Sequence, residues 1–72
     1  MSKAIPVYDM AFPPSRLVST AYKAGALDAL LNRLDGCSEI PIPYQAGSAE
    51  ADAYRAGRRE GHETADRLRQ PA

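Results

Sequence analysis

The sequence predicts an all-α fold, a two-helix hairpin (helix–loop–helix) with an extended N-terminal arm, expected to be oligomeric. Three observations carry this prediction. Two stretches with helical signals, 15–35 and 48–70, flank a segment containing Pro41 and Pro43. A serine opens each stretch, and Gly36 and Pro71 lie where the two should stop. At 72 residues there is room for one small core. Such a core buries only about 60% of the unfolded surface and supplies roughly 3–5 kcal/mol, so an added stabiliser is expected.

The arm comes first, residues 1–14. Tyr8, Met10 and Phe12 alternate, which suggests an extended segment with one apolar face. Pro6, Pro13 and Pro14 exclude a central strand, since each lacks a ladder donor. The arm is expected to lie over the helices or over another subunit. The helical hairpin domain, 15–70, follows.

Its first helix, 15–35, is expected to start on Ser15 as N-cap and to end at Gly36 in the left-handed conformation. Its apolar residues form two faces. Val18, Tyr22, Gly25 and Ala29 make one, and Leu27, Leu30, Leu31 and Leu34 make another, more than about 100° away at 100° per residue. Either Gly25 permits a bend, or the helix has two neighbours. With one other helix in the chain, the second neighbour would be a subunit or a partner.

The loop, 36–47, is stiffened by Pro41 and Pro43, which push Ile40 and Ile42 toward extended backbone. Its apolar side chains either are presented outward or fold back onto the core. The second helix, 48–70, opens on Ser48, carries Glu50 and Asp52 at its positive end and Arg67 and Arg69 at its negative end. Ala49, Ala53, Gly57, Gly61 and Ala65 recur every fourth residue as a groove of small side chains. Each mid-helix glycine costs about 1 kcal/mol against alanine, so close approach of another backbone, or of Tyr22, is expected there. Packing residues are expected to be Tyr22, Gly25, Tyr44, Tyr54, Gly57 and Gly61. Protein-interface candidates are Tyr8, Met10 and Phe12 on the arm, Leu27, Leu30, Leu31 and Leu34 on the first helix, and Ile40 and Ile42 on the loop.

Chemistry is not indicated. Nucleophilic catalysis needs a base and an orienting group beside the nucleophile, and the one histidine, His62, sits among Arg58, Arg59, Glu63 and Asp66. The one cysteine, Cys37, excludes an internal disulfide and favours a reducing, cytoplasmic setting. No four-ligand metal set is present, and no glycine pattern for nucleotides occurs. No catalytic, cofactor-binding or metal-binding residue is therefore assigned, and no small-molecule substrate is expected. Nine basic residues balance nine acidic ones, which weakens a nucleic-acid reading. Arg55, Arg58 and Arg59 could still contact RNA phosphates or an acidic partner, or form a solvated face with internal ion pairs. No apolar run approaches the roughly 20 residues of a membrane span, and residues 1–6 carry no signal-peptide core.

Tyr22-Lys23-Ala24-Gly25, Pro43-Tyr44 and Tyr54-Arg55-Ala56-Gly57 resemble the pattern of the ribosome modulation factor family over about residues 20–67. The resemblance implies two helices around a connecting segment, with Tyr22, Gly25, Pro43, Tyr44, Tyr54 and Gly57 as shared framework. It also implies ribosome and rRNA contact through Arg55, Arg58 and Arg59, and kinship with short phage and mobile-element proteins. Two departures stand out: the family's best-known member is strongly basic, and the segment from Gly25 to Pro43 is longer here, adding leucines without basic charge. The expectation is a small non-catalytic regulatory protein, cytoplasmic, that binds a protein partner (itself, as a dimer, or a host protein) through an apolar helix face. The alternative is a ribosome-associated, hibernation-type rRNA-binding factor.

Overall fold

Where the two long helices meet, every fourth residue is small. In the computed structural model, which describes residues 1–69, the chain forms α1 (Ala4–Ala11), α2 (Thr20–Asp35) and α3 (Ala49–Arg69), with no strand among the described residues. Along α2 the buried small positions include Ala21, Gly25 and Ala29, and along α3 Gly57, Gly61 and Ala65. A Cβ built on Gly25 would overlap the carbonyl oxygen of Tyr54, and one on Gly57 would overlap that of Tyr22. On Gly61 it would lie 2.6 Å from the Ala26 oxygen and 2.7 Å from the Ala29 Cβ. Backbone touches backbone, and this contact offsets the helix penalty of the glycines.

The two long helices run in the same direction. At one end Ser19, Thr20 and Ala21 share a depression with Ala49, Glu50 and Ala53. Farther along, Gly61 meets Ala26 and Ala29, and at the other end Arg33 reaches His62 and Asp66. Contacts therefore climb both helices together, whereas the expected helical hairpin would have paired them in opposite order. The reason lies in the connection. Twelve residues, 36–47, can span about 40 Å when extended, while the 16 residues of α2 rise about 24 Å. The proline-stiffened segment is long enough to return to the starting end. It descends along α3: Arg58 donates to the Ile40 carbonyl at 3.1 Å and sits 3.3 Å from Glu39, and Tyr44 meets Tyr54 edge-on at 6.0 Å.

The expected extended arm is a helix. Ala4, Val7, Tyr8, Ala11 and Phe12 stand at i, i+3, i+4, i+7 and i+8, and all five are at least partly buried, whereas Met10 faces outward. Pro6 falls in the first turn, where its missing N–H has no intrahelical partner to lose, and the helix stops before Pro13-Pro14. The helix that follows begins at Thr20 rather than at 15. Ser19, extended at φ −68° and ψ 157°, accepts from the Tyr22 amide at 3.1 Å. Residues 13–16 instead form a turn closed by Arg16 N–H to Pro13 O at 2.9 Å, which swings Arg16 toward α3. Gly36 ends α2 at φ +73° and Ser48 caps α3 through the Ala51 amide at 3.1 Å, both as expected. The expected α3 terminus, Gln70, lies outside the described residues.

The two apolar faces of α2 thus have two neighbours, but both belong to this chain. Tyr22, Gly25 and Ala29 meet α3; Leu30, Leu31 and Leu34 meet Ala4, Val7 and Tyr8 of α1, with Ala65 of α3 completing the cluster. The second neighbour expected from another subunit is α1.

Candidate partner-binding surface

The seam carries its own polar network, and that network decides which side chains remain for a partner. Tyr22 donates to Glu60 at 2.6 Å, and Tyr54 donates to Asp28. Each tyrosine lies three residues before a seam glycine and six before the acid that serves the other helix's tyrosine. Tyr22/Tyr54, Gly25/Gly57 and Asp28/Glu60 are all 32 residues apart. So are Phe12 and Tyr44, whose rings meet Tyr22 and Tyr54 at 6.1 and 6.0 Å, both at 63°. Reciprocal contacts of this kind are what an approximate two-fold axis produces. The repeat is visible in the sequence as Ala-Tyr-Lys-Ala-Gly and Ala-Tyr-Arg-Ala-Gly, a signal that motif reading alone did not use as a repeat.

Electrostatics follow the network. Glu60 is held below the ordinary carboxylate range by hydrogen bonds from Arg16, at 2.7 and 2.8 Å, and then from Tyr22. The bond to Glu60, then burial, raises the Tyr22 hydroxyl. Burial, then the bond to Asp28, raises Tyr54. These groups face one another in two tyrosine–carboxylate pairs across the seam.

The three candidate arginines do not form one patch. Arg58 lies over the Tyr54 ring, its Cζ 4.9 Å from the centroid, and ties the loop through Glu39 and Ile40. It is a structural strut. Arg55 pairs with Asp52 at 3.5 Å on the exposed side, and Arg59 is exposed nearby. These two line an open polar cleft of about 440 Å³ together with Tyr22, Glu60 and Glu63. Mixed charge in the cleft fits the neutral balance of the sequence. Cys37 is exposed. His62 is half-buried within 3.3 Å of Arg33. No cluster of potential metal ligands occurs among the described residues.

The protein-interface candidates divide sharply. Phe12 and Leu30 are buried, and Tyr8, Leu31 and Leu34 are covered where α1 meets α2, so the leucine face is not open. Leu27 and Ile42 are half-buried and Ile40 is 47% exposed. Met10 is 84% exposed, and it borders an apolar groove of about 330 Å³ between α1 and the end of α3. Val7, Ala11, Thr64, Arg67 and Leu68 line the rest, with Leu68 58% exposed. Leu68 and the 93% exposed Leu17 were not singled out in the sequence, although Leu68 continues the stripe of Gly57, Gly61 and Ala65. The packing candidates Tyr22, Gly25, Tyr44, Tyr54, Gly57 and Gly61 all lie at or beside the seam.

At the far end of α1, its first amides are served from α2. Asp35 accepts from the Lys3 amide at 2.6 Å and from the Ser2 hydroxyl, which itself accepts from the Ala4 and Ile5 amides at 3.2 and 3.1 Å. A carboxylate at the last turn of α2 opposes that helix's dipole; here it faces the positive end of α1 instead. The Ser2 and Lys3 bonds hold Asp35 below the usual carboxylate range. No helix among the described residues is long and apolar enough to cross a membrane. No family model matches the chain, and neither does any curated protein or solved structure.

Proposed function

We propose that the chain is a small non-catalytic regulatory protein that binds a protein partner through apolar surface centred on α1. The observation that carries this reading is the concentration of uncovered apolar side chains there. Met10 and Leu68 are exposed around a groove also lined by Val7 and Ala11, and Ile5 is exposed elsewhere on α1, while the tyrosines and carboxylates of the seam pair with one another. Apolar surface with a polar rim is what protein interfaces bury. The test uses the full chain as bait in three forms. Wild type and Arg55→Ala/Arg59→Ala should retain a common bound protein, and Met10→Glu/Leu68→Glu should lose it. Retention by the glutamate variant would refute the assignment.

A second reading, ribosome association of the kind the ribosome modulation factor resemblance implies, is favoured by one observation: Arg55 and Arg59 are both exposed along α3. It predicts co-sedimentation with ribosomes that weakens as salt rises and is lost in Arg55→Ala/Arg59→Ala. Arg58 is left intact in that variant, because its removal would free the loop.

A further inference from the structure

We infer that the α2 face formed by Leu30, Leu31 and Leu34 is a helix-docking groove, that α1 is its resting occupant, and that the partner presents an amphipathic helix which displaces α1. This rests on the reading above that the chain binds a protein partner; it names the partner's chemistry and places its final seat on the α2 face beneath α1, with the surface of α1 as the first point of contact. The groove already seats a helix, so its shape and its requirements can be read from α1. It takes a small residue against Leu30, as Ala4 does, and apolar and aromatic residues three and four positions later, as Val7 and Tyr8 do. It takes the helix antiparallel to α2, because Asp35 receives amides at the start of α1 while Phe12, just past its end, stacks on Tyr22. Asp35 thereby selects a helix N-terminus, whose amides lack intrahelical acceptors.

Several features make α1 the exchangeable element. Eight residues are too few for a helix that is stable by itself. The backbone seam of α2 and α3 is built without it. The chain just beyond α1 is held to α3: Arg16 forks onto Glu60, its guanidinium lies 4.5 Å from the Phe12 ring centroid, and it donates to the carbonyl of Ala11 at the end of α1 at 2.9 Å. Release of residues 4–11 therefore leaves Phe12 and Arg16 as a pinned hinge. The exposed Met10, at the rim of the groove between α1 and α3, marks a side from which a second helix could first engage.

Native-state hydrogen exchange on the full wild-type chain is the first test. The amides of residues 8–12 should exchange through an opening that leaves Gly57 and Gly61 protected. The second measurement uses a fluorescent peptide of residues 1–12 as probe. It should bind the full-length Tyr8→Asp variant at least about tenfold more tightly than wild type, whose tethered α1 competes at high effective concentration, and adding Leu31→Asp should abolish binding. Co-exchange of residues 8–12 with Gly57 and Gly61 overturns the inference even if Tyr8→Asp fails to fold. Equal peptide binding by wild type and Tyr8→Asp, or binding indifferent to Leu31, also overturns it. If α1 proves locked while Met10→Glu/Leu68→Glu still loses the partner, displacement fails and the protein-binding reading stands.

Discussion

The two faces of α2 are joined to their neighbours by different physics. Against α3, glycines let backbone rest on backbone, and two tyrosines reach across to two carboxylates. Against α1, a few apolar side chains, Tyr8 among them, and one carboxylate at the helix start make the contact. The first contact is intolerant, since nothing but hydrogen fits at Gly25 or Gly57. The second is generic, since any helix with the right apolar spacing would satisfy it. Rigidity and exchangeability are thus divided between opposite sides of one helix.

The largest effect should come from breaking the seam. Gly57→Ala gains about 1 kcal/mol of helix propensity but drives a methyl into the Tyr22 carbonyl. Overpacking a core typically costs about 1–3 kcal/mol and more where the obstacle is backbone that cannot yield, so the net loss, after the propensity gain, should consume the roughly 3–5 kcal/mol of a chain this size. The cooperative thermal transition by circular dichroism should disappear. Retention of a wild-type melt would show that the helices do not approach as closely as described.

Leu30→Ala tests the other face. Leu30 is buried between α1 and α3, and truncation should cost about 2–4 kcal/mol. Its exchange signature should differ from that of the glycine variant, with α1 amides losing protection before those of the seam. Uniform loss of protection would mean that the two contacts unfold as one.

Within the seam, the two tyrosines sharpen the two-fold relation. Tyr54→Phe strips the donor from Asp28 at a fully buried ring and should cost about 1.5–3 kcal/mol in urea denaturation. Tyr22→Phe should cost less, about 1 kcal/mol, because Arg16 still serves Glu60. Equal costs would break this ranking.

The smallest effect concerns the end of α1. Asp35, Glu60 and Asp66 have folded pKa values below their ordinary ones of 3.8, 4.5 and 3.8. A depressed carboxyl stabilises the fold fully above its unfolded pKa and loses that contribution as pH falls through the folded one. Stability should therefore begin to fall below about pH 4.5, with Glu60, and continue below 3.8. Asp35→Asn should remove part of the lower step and speed α1 exchange while barely moving the melt. The tyrosines act in the opposite sense: raised from 10.0, they lose their contribution only as pH climbs past that value.

Much of this was legible in the residues. Ser48 and Gly36 marked two helix ends, and small residues every fourth position on α3 announced a close helix neighbour. Ser15 and Ser19 were equally good caps by type, and Ser19 prevailed because residues 12–16 are needed to bring Phe12 to Tyr22 and Arg16 to Glu60. The alternation Tyr8, Met10, Phe12 concealed a complete helical stripe from Ala4 to Phe12. Among the interface candidates, the leucines were correctly apolar, yet composition carries no statement of what covers them. Arg58 looked like its neighbours Arg55 and Arg59 and became a strut only because the loop passes beside it.

Periodicity and capping chemistry thus determined that α2 and α3 are helices, and that α2 has two apolar faces. These are local properties, set by side chains a few positions apart. The direction in which α3 runs beside α2, and the identity of what covers the second face, were decided only by tertiary structure. A twelve-residue extended connection is long enough to close either a hairpin or a parallel pair. The parallel pair prevails because it places Gly25 on the Tyr54 carbonyl and Gly57 on that of Tyr22, contacts formed only when residues 29 and 35 positions apart come together.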